Sequence, residues 1–196
     1  MLTDGFHSIP PGKVAAIVTH LSMSRPKVPP TMPDLPLRHL PRPEVGWYRD
    51  LFTRVGALDW LWFSRLRLEP AALEAILRDP LVEVHALELD GRAEGLLELD
   101  FRDPAAPELA FFGLTPEVQG RGYGRQMMQA ALALAFARDI PQLTIHTCTF
   151  DSPVALPFYL RSGFVPVSRE VEVVDDPRLT GDIPRDAARQ IPVITG

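Results

Sequence analysis

Glycine falls at every second position in Gln119-Gly120-Arg121-Gly122-Tyr123-Gly124-Arg125. That spacing suits neither a strand nor a helix interior, because each glycine loses the most backbone entropy on folding and offers no side chain to pack. It suits a place where successive N–H groups converge at a helix start and a bulky group lies against them. The flanks agree. Glu108 to Leu114 reads as an apolar strand, Pro116 opens a turn, and a helix-forming run continues to Arg138. The first amides of a helix lack intrahelical partners and sit at the positive end of its dipole, so they attract anions. Arg121 and Arg125 flank this point and can add charge-assisted bonds to phosphate.

Two familiar phosphate loops do not fit. No Gly-Lys-Ser/Thr follows the glycines, and Met127 stands where a dinucleotide fold needs its last glycine. The spacing matches Gln/Arg-x-x-Gly-x-Gly/Ala, as Gln119-x-x-Gly122-x-Gly124. Downstream, Ala155-x-x-Phe158-Tyr159-x-x-Ser162-Gly163-Phe164 matches a helix-to-strand corner of the form Ala-x-x-Phe-Tyr-x-x-x-Gly-Phe. On these two blocks the sequence resembles the GNAT family of N-acetyltransferases, over about residues 82 to 174. The resemblance implies an α+β fold with a mixed, mostly antiparallel sheet flanked by helices and splayed at an acetyl-CoA groove.

Several site residues follow from the resemblance. Phe112, Gly113 and Leu114 end the splayed strand, and the Leu114 N–H is expected to face the thioester carbonyl. The amides of Gln119, Gly120, Arg121, Gly122, Tyr123, Gly124 and Arg125 are expected to cradle the pyrophosphate. Phe158, mainly a packing residue, borders the coenzyme. Tyr159 matches the tyrosine that in many family members faces the coenzyme's sulfur. One departure concerns the pantetheine arm: the family often has Asn three residues before the Ala, and here Ser152 stands there, supplying a hydroxyl for part of that bonding.

Acetyl transfer to an amine requires a group to take the amine's proton, since a lysine-type amine has a pKa near ~10.4. It also requires a fixed donor for the developing oxyanion and an acid for the departing thiolate. Leu114 and Tyr159 fill the last two roles. Glu108 is the candidate base, at the same offset before Gln119 as the catalytic glutamate of the histone-acetyltransferase branch; an alternative is a merely solvated carboxylate. Glu98 and Asp100 are reserves by strand alternation. His146 and Cys148 share a strand face, but the family's direct transfer disfavours an acyl-cysteine. The reading is thus acetyl-CoA-dependent transfer to a primary amine of a small molecule or peptide. The alternatives are a non-catalytic acetyl-CoA-binding module, or an O-acyl or longer-acyl transferase.

The formal charge of −5 argues against a nucleic-acid partner and leaves a cationic amine acceptor open. The lone Cys148 excludes an internal disulfide and a Cys-rich metal site, so no metal is expected. With no secretory-type leader and no apolar run of the ~18–20 residues a membrane span needs, a cytoplasmic protein without membrane contact is expected, as monomer or homodimer.

One domain is expected, with its core over about 36–174. Residues 1–35 supply a strand at Lys13–Met23 and a proline-rich connector, and 175–196 form a tail. Strands are predicted at Leu37–Leu40 on a sheet edge, Val82–Leu89, Gly95–Phe101, Glu108–Leu114, Gln142–Thr149 and Phe164–Val174. Helices are predicted over 44–66, 69–78, 125–138 and 154–162, the last capped by Asp151. Trp47, Trp60 and Trp62 are either core or the wall of an acceptor pocket.

Overall fold

The computed structural model describes residues 3–196. The β-rich N-terminal run forms β1 (Lys13–Ser24), and Leu37–Leu40 forms β2. The helical stretch predicted over 44–66 is divided into α1 (Val45–Phe52), a π-helical turn (Thr53–Ala57), α2 (Leu58–Trp60) and α3 (Ser64–Arg67). The Trp62 indole lies on Gly56, where any Cβ would overlap the ring, so only glycine lets the turn pass beneath it. Leu61 then ends α2 in the left-handed region at φ 55°. Pro70, at a favoured first-turn position, starts α4 (Pro70–Leu77).

β3 (Val82–Leu89) and β4 (Arg92–Asp100) form a hairpin whose turn residues Asp90 and Gly91 take φ values of 51° and 77°, as a two-residue turn of this kind demands. β5 (Glu108–Leu114), α5 (Tyr123–Ala137), β6 (Gln142–Cys148), α6 (Ala155–Arg161), β7 (Val165–Asp175) and α7 (Pro177–Thr180) complete the chain. The seven strands form one sheet in the order β2-β3-β4-β5-β6-β1-β7, antiparallel throughout except for β5 beside β6. The fold is therefore α+β with a mixed sheet. β2, flanked by prolines that cannot donate to a ladder, takes one edge, and β7 with Pro166 takes the other.

The N-terminal strand is no appendage. β1 lies between β6 and β7, pairing Val18 with Cys148 and His20 with His146 on one side, and Ala16 with Glu172 on the other. The N-terminal strand therefore borders β6 directly, and β7 lies one strand further out.

One sheet face packs under α5 and α6 through Leu21, Leu97, Leu99, Leu109, Leu143 and Ile145. The other packs under α1 and α4 through Val84, Ala86 and Leu96. Each fully buried leucine here favours the folded state by roughly 1.5–3 kcal/mol relative to exposure. The C-terminal tail is held by local charge pairing. The Asp176 carboxylate caps α7 through the Arg178 N–H and pairs with the buried Arg178 guanidinium, which also donates to the carbonyls of Ala187, Ala188 and Ile191. Ile183, Ala187 and Ala188 then pack on Ala57 and Leu61. Among the described residues no helix is long and apolar enough to cross a membrane.

Candidate active site

β5 and β6 pair only at their start, Glu108 with Thr144, where the Thr144 N–H donates to the Pro107 carbonyl at 2.8 Å. Beyond that point no ladder joins them. Ala110 is an extra residue in β5, since Glu98 faces Phe111 while Leu99 faces Leu109. A bulge of this kind bends its strand. A cavity of about 1080 Å³ occupies the gap. It runs between the α5–α6 side, with Met128, Leu132 and Tyr159, and the side of α2 and α3, with Trp60, Trp62 and Phe63.

Phe112, Gly113 and Leu114 line this cavity. The Thr115 N–H donates to the Glu94 carbonyl at 2.9 Å, toward β4. By the alternation of an antiparallel ladder, the Leu114 N–H and C=O point to the opposite edge, into the gap. Consistent with this, the Gln119 side-chain amide reaches back to the Leu114 carbonyl at 3.0 Å.

Gly120 and Gly122 take φ values of 75° and 88°, and nothing lies within 4 Å of where either Cβ would be. Among the described residues no group of the protein accepts from the N–H of Gly120, Arg121, Gly122, Tyr123 or Gly124. This row is narrower at both ends than the sequence suggests. The Gln119 N–H bonds the Pro116 carbonyl, and the Arg125 N–H bonds the Gly122 carbonyl. Arg125 lines the cavity, as does Arg161 of α6, which sequence reasoning missed although it sits in the last turn of its helix. The side chain of Arg121 is exposed, and Tyr123 packs on the core.

Tyr159 is buried edge-on against Phe112, Phe158 and Phe164 and lines the cavity. Burial, reinforced by the Asp151 charge, raises its hydroxyl far above the ordinary value, so it holds its proton. Phe158 stacks on Phe112, and Ser152 also lines the cavity.

The predicted cap of α6 is absent. Val154 occupies the cap position, and Asp151 turns back, accepting from the Thr147 hydroxyl, the Cys148 N–H and the Trp62 indole N–H. Trp62 therefore serves both readings of the aromatic patch, packing on Phe52 and Phe111 while lining the cavity. Trp60 lines it too, whereas Trp47 packs with α1 and the sheet.

Among the carboxylates, Glu98 is excluded as a base by its surroundings. It is fully buried, and its oxygens accept from the Tyr48 hydroxyl and the Arg65 guanidinium. Asp100 is held by Arg102. Glu108 does not line the large cavity. It bonds His146 Nδ1 at 2.6 Å and opens on a neighbouring recess with His20, Asp100 and Arg102. His146, Cys148 and Glu172 do line the cavity. Burial pushes the Cys148 thiol up to about 11.

A splayed parallel pair, a row of bare amides at a helix start and a buried tyrosine beside the gap suit a phosphorylated carrier with a narrow arm. Independently, the sequence model of the Acetyltransferase (GNAT) family matches residues 46–164, more than half of the chain. The chain is a member of the GNAT family. No curated protein sequence matches it. Solved GNAT structures share its fold at low identity. A GCN5-related N-acetyltransferase from Sphaerobacter thermophilus superposes with a TM-score of 0.61 at 14% identity, covering 86% of this chain and 53% of that one. A tandem GNAT protein from the clavulanic acid biosynthesis pathway gives 0.56 at 14%, covering 87% and 55%. The present chain thus spans about half the length of these two GNAT relatives. An aminoglycoside N-acetyltransferase in complex with CoA gives 0.53 at 17%, covering 73% of this chain and 95% of that one.

Proposed function

We propose that this chain is an acetyl-CoA-dependent N-acetyltransferase that moves an acetyl group directly to a primary amine of a small molecule or peptide. The observation that carries the reading is the row of unpartnered amides from Gly120 to Gly124 at the start of α5, beside the open β5–β6 gap. The residues present fit the coenzyme, since glycine leaves the loop surface bare where a Cβ would otherwise project, and Arg125 and Arg161 add positive charge at the cavity wall. Acetyl-CoA, when bound, supplies an activated thioester carbonyl.

The chain's own groups divide the remaining work. The amides of the loop hold a diphosphate. The Leu114 N–H, turned into the gap, is positioned to stabilise negative charge on a carbonyl oxygen. Tyr159 keeps a proton at Oη that a departing sulfur can take. Ser152, Phe112 and Phe158 line the path of the arm, and Trp60, Trp62 and Phe63 wall the acceptor end. Glu108, outside the large cavity, bonds Nδ1 of His146 at the root of the gap.

Calorimetry with acetyl-CoA, followed by thiol release across a panel of amines, tests the proposal. Gly122→Val should abolish measurable coenzyme binding while unfolding stays cooperative. Full-strength binding by that variant would remove the loop as the cradle, and coenzyme binding with no thiol release by any amine would favour a binding module.

A further inference from the structure

We propose that His146 is the group that takes the acceptor amine's proton, with Glu108 as the positioning residue that aims it. This rests on the acetyltransferase reading above. Three observations place His146 in that role. Glu108 Oε1 lies 2.6 Å from His146 Nδ1, joining the neighbouring strands β5 and β6 close to the one point where they pair. A carboxylate accepts from Nδ1–H, which leaves the lone pair of the neutral ring on Nε2. Among the described residues no protein group bonds Nε2. His146 lines the large cavity, whereas Glu108 does not.

Three other candidates are disposed of by their own surroundings. Glu98 is sealed between Tyr48 and Arg65, and Asp100 is tied to Arg102. Cys148 is a neutral thiol at ordinary pH. The surroundings also make His146 a better base than a free imidazole. The bond from Glu108 raises its pKa, against the opposing effect of burial, and the charges of Glu108, of Asp151 after β6 and of Glu172 on β7 act in the same upward direction. His20 of β1 faces it at 5.9 Å between ring centroids, and Glu170 lies 3.6 Å beyond His20.

The proton account closes. As the acceptor nitrogen bonds to the acetyl carbon and the carbon–sulfur bond breaks, the nitrogen's proton passes to Nε2 of His146. Tyr159 gives its proton to sulfur, His146 releases its own to solvent, and Tyr159 takes one back. Counted from the neutral amine, the net change is one proton moved from nitrogen to sulfur; an ammonium acceptor first loses one further proton to solvent. An imidazole is basic enough because nitrogen becomes strongly acidic once it has bonded to the carbonyl carbon.

The full chain should be compared with His146→Gln, His146→Ala and Glu108→Gln, using the best amine from the panel. His146→Gln is expected to lower kcat by about 10²-fold or more with unchanged acetyl-CoA affinity, and added imidazole is expected to restore turnover to His146→Ala. Glu108→Gln should move the acid limb of the kcat/KM profile to lower pH. An NMR titration of the histidine rings, which needs no turnover, should show the Nδ1–H form of His146 and a lower pKa in Glu108→Gln. If the wild type transfers acetyl groups and His146→Gln matches it within about threefold, with the same acid limb, this role is overturned and the acetyltransferase reading stands. A wild type that binds coenzyme but acetylates nothing overturns both.

Discussion

Trp62 donates from its indole N–H to Asp151 at 2.9 Å, tying the segment after α2 to the turn after β6, and both residues line the cavity. The same carboxylate holds the Thr147 hydroxyl at 2.7 Å and the Cys148 N–H at 2.9 Å. Asp151→Asn keeps the shape but turns one acceptor into a donor, and the indole N–H is the partner that loses. The variant should be destabilised by about 1–3 kcal/mol, the cost of an unmatched part-buried polar group. The acceptor KM should rise by up to about tenfold for each 1.4 kcal/mol of lost pocket order, with coenzyme affinity little changed. Loss of acetyl-CoA affinity in calorimetry with an unaltered acceptor KM would place Asp151 on the coenzyme side instead.

Tyr159 sits among Phe112, Phe158 and Phe164 with its hydroxyl strongly disfavoured from ionising. Phenylalanine there keeps the ring packing and removes only the proton. Tyr159→Phe should keep its acetyl-CoA dissociation constant and lose about 10²-fold or more in kcat, the usual scale of a lost general acid. Turnover equal to the wild type would leave the sulfur to be protonated by water and remove Tyr159 from the chemistry.

What the sequence made legible was what depends on local backbone. Gly120 and Gly122 could be placed because left-handed φ and bare amides leave a mark in residue type. The β3–β4 hairpin and the edge position of β2 followed in the same way, from Asp90-Gly91 and from flanking prolines. What stayed hidden depends on pairing over long separations. Nothing near Val18 or His20 announces that β1 will lie between β6 and β7, and β1 meets β6 across more than a hundred residues of chain. Asp151 stands before Ser152-Pro153, the local signature of a helix cap, yet tertiary partners on Trp62 and Thr147 claimed its oxygens. Glu108 was visible by its offset from Gln119, but its partner His146 arrives on another strand, so the carboxylate's service to a histidine could not be read from spacing. That Gly56 is a seat for the Trp62 ring, likewise, needed coordinates.

Gly56→Ala turns that seat into a test. A methyl group at this position overlaps the Trp62 indole, which is itself packed on Phe52 and Phe111 and held by Asp151. The ring is fixed on several sides, so the strain falls on the π turn and the cavity wall together. An overpacking cost of about 1–3 kcal/mol is expected in chemical denaturation, together with a changed Trp fluorescence maximum and a raised acceptor KM. A variant as stable as the wild type, with native fluorescence, would mean that the ring moves freely off Gly56.

Glu83 offers a prediction in pH. His85, 3.5 Å from one oxygen, and the Arg138 guanidinium, bonded at 2.6 and 3.1 Å, hold its carboxyl down to about 2 from an ordinary 4.5, against the opposing effect of burial. A depressed folded-state pKa means that the unfolded chain binds the proton first as pH falls. The stabilisation is therefore complete above about 4.5 and is lost as pH drops toward about 2. The full shift would correspond to roughly 3 kcal/mol; because Arg138 is partly exposed and screened, about 1–2 kcal/mol is the expected contribution. Glu83→Gln should accordingly be less stable than the wild type at pH 7 by that amount, and the two unfolding curves should converge as pH approaches 2. The cation of Arg138 over the Phe101 ring, 4.2 Å from its centroid, is present in both proteins and does not alter the comparison. A gap that stays constant from pH 7 to pH 2 would show that Glu83 acts through shape rather than charge.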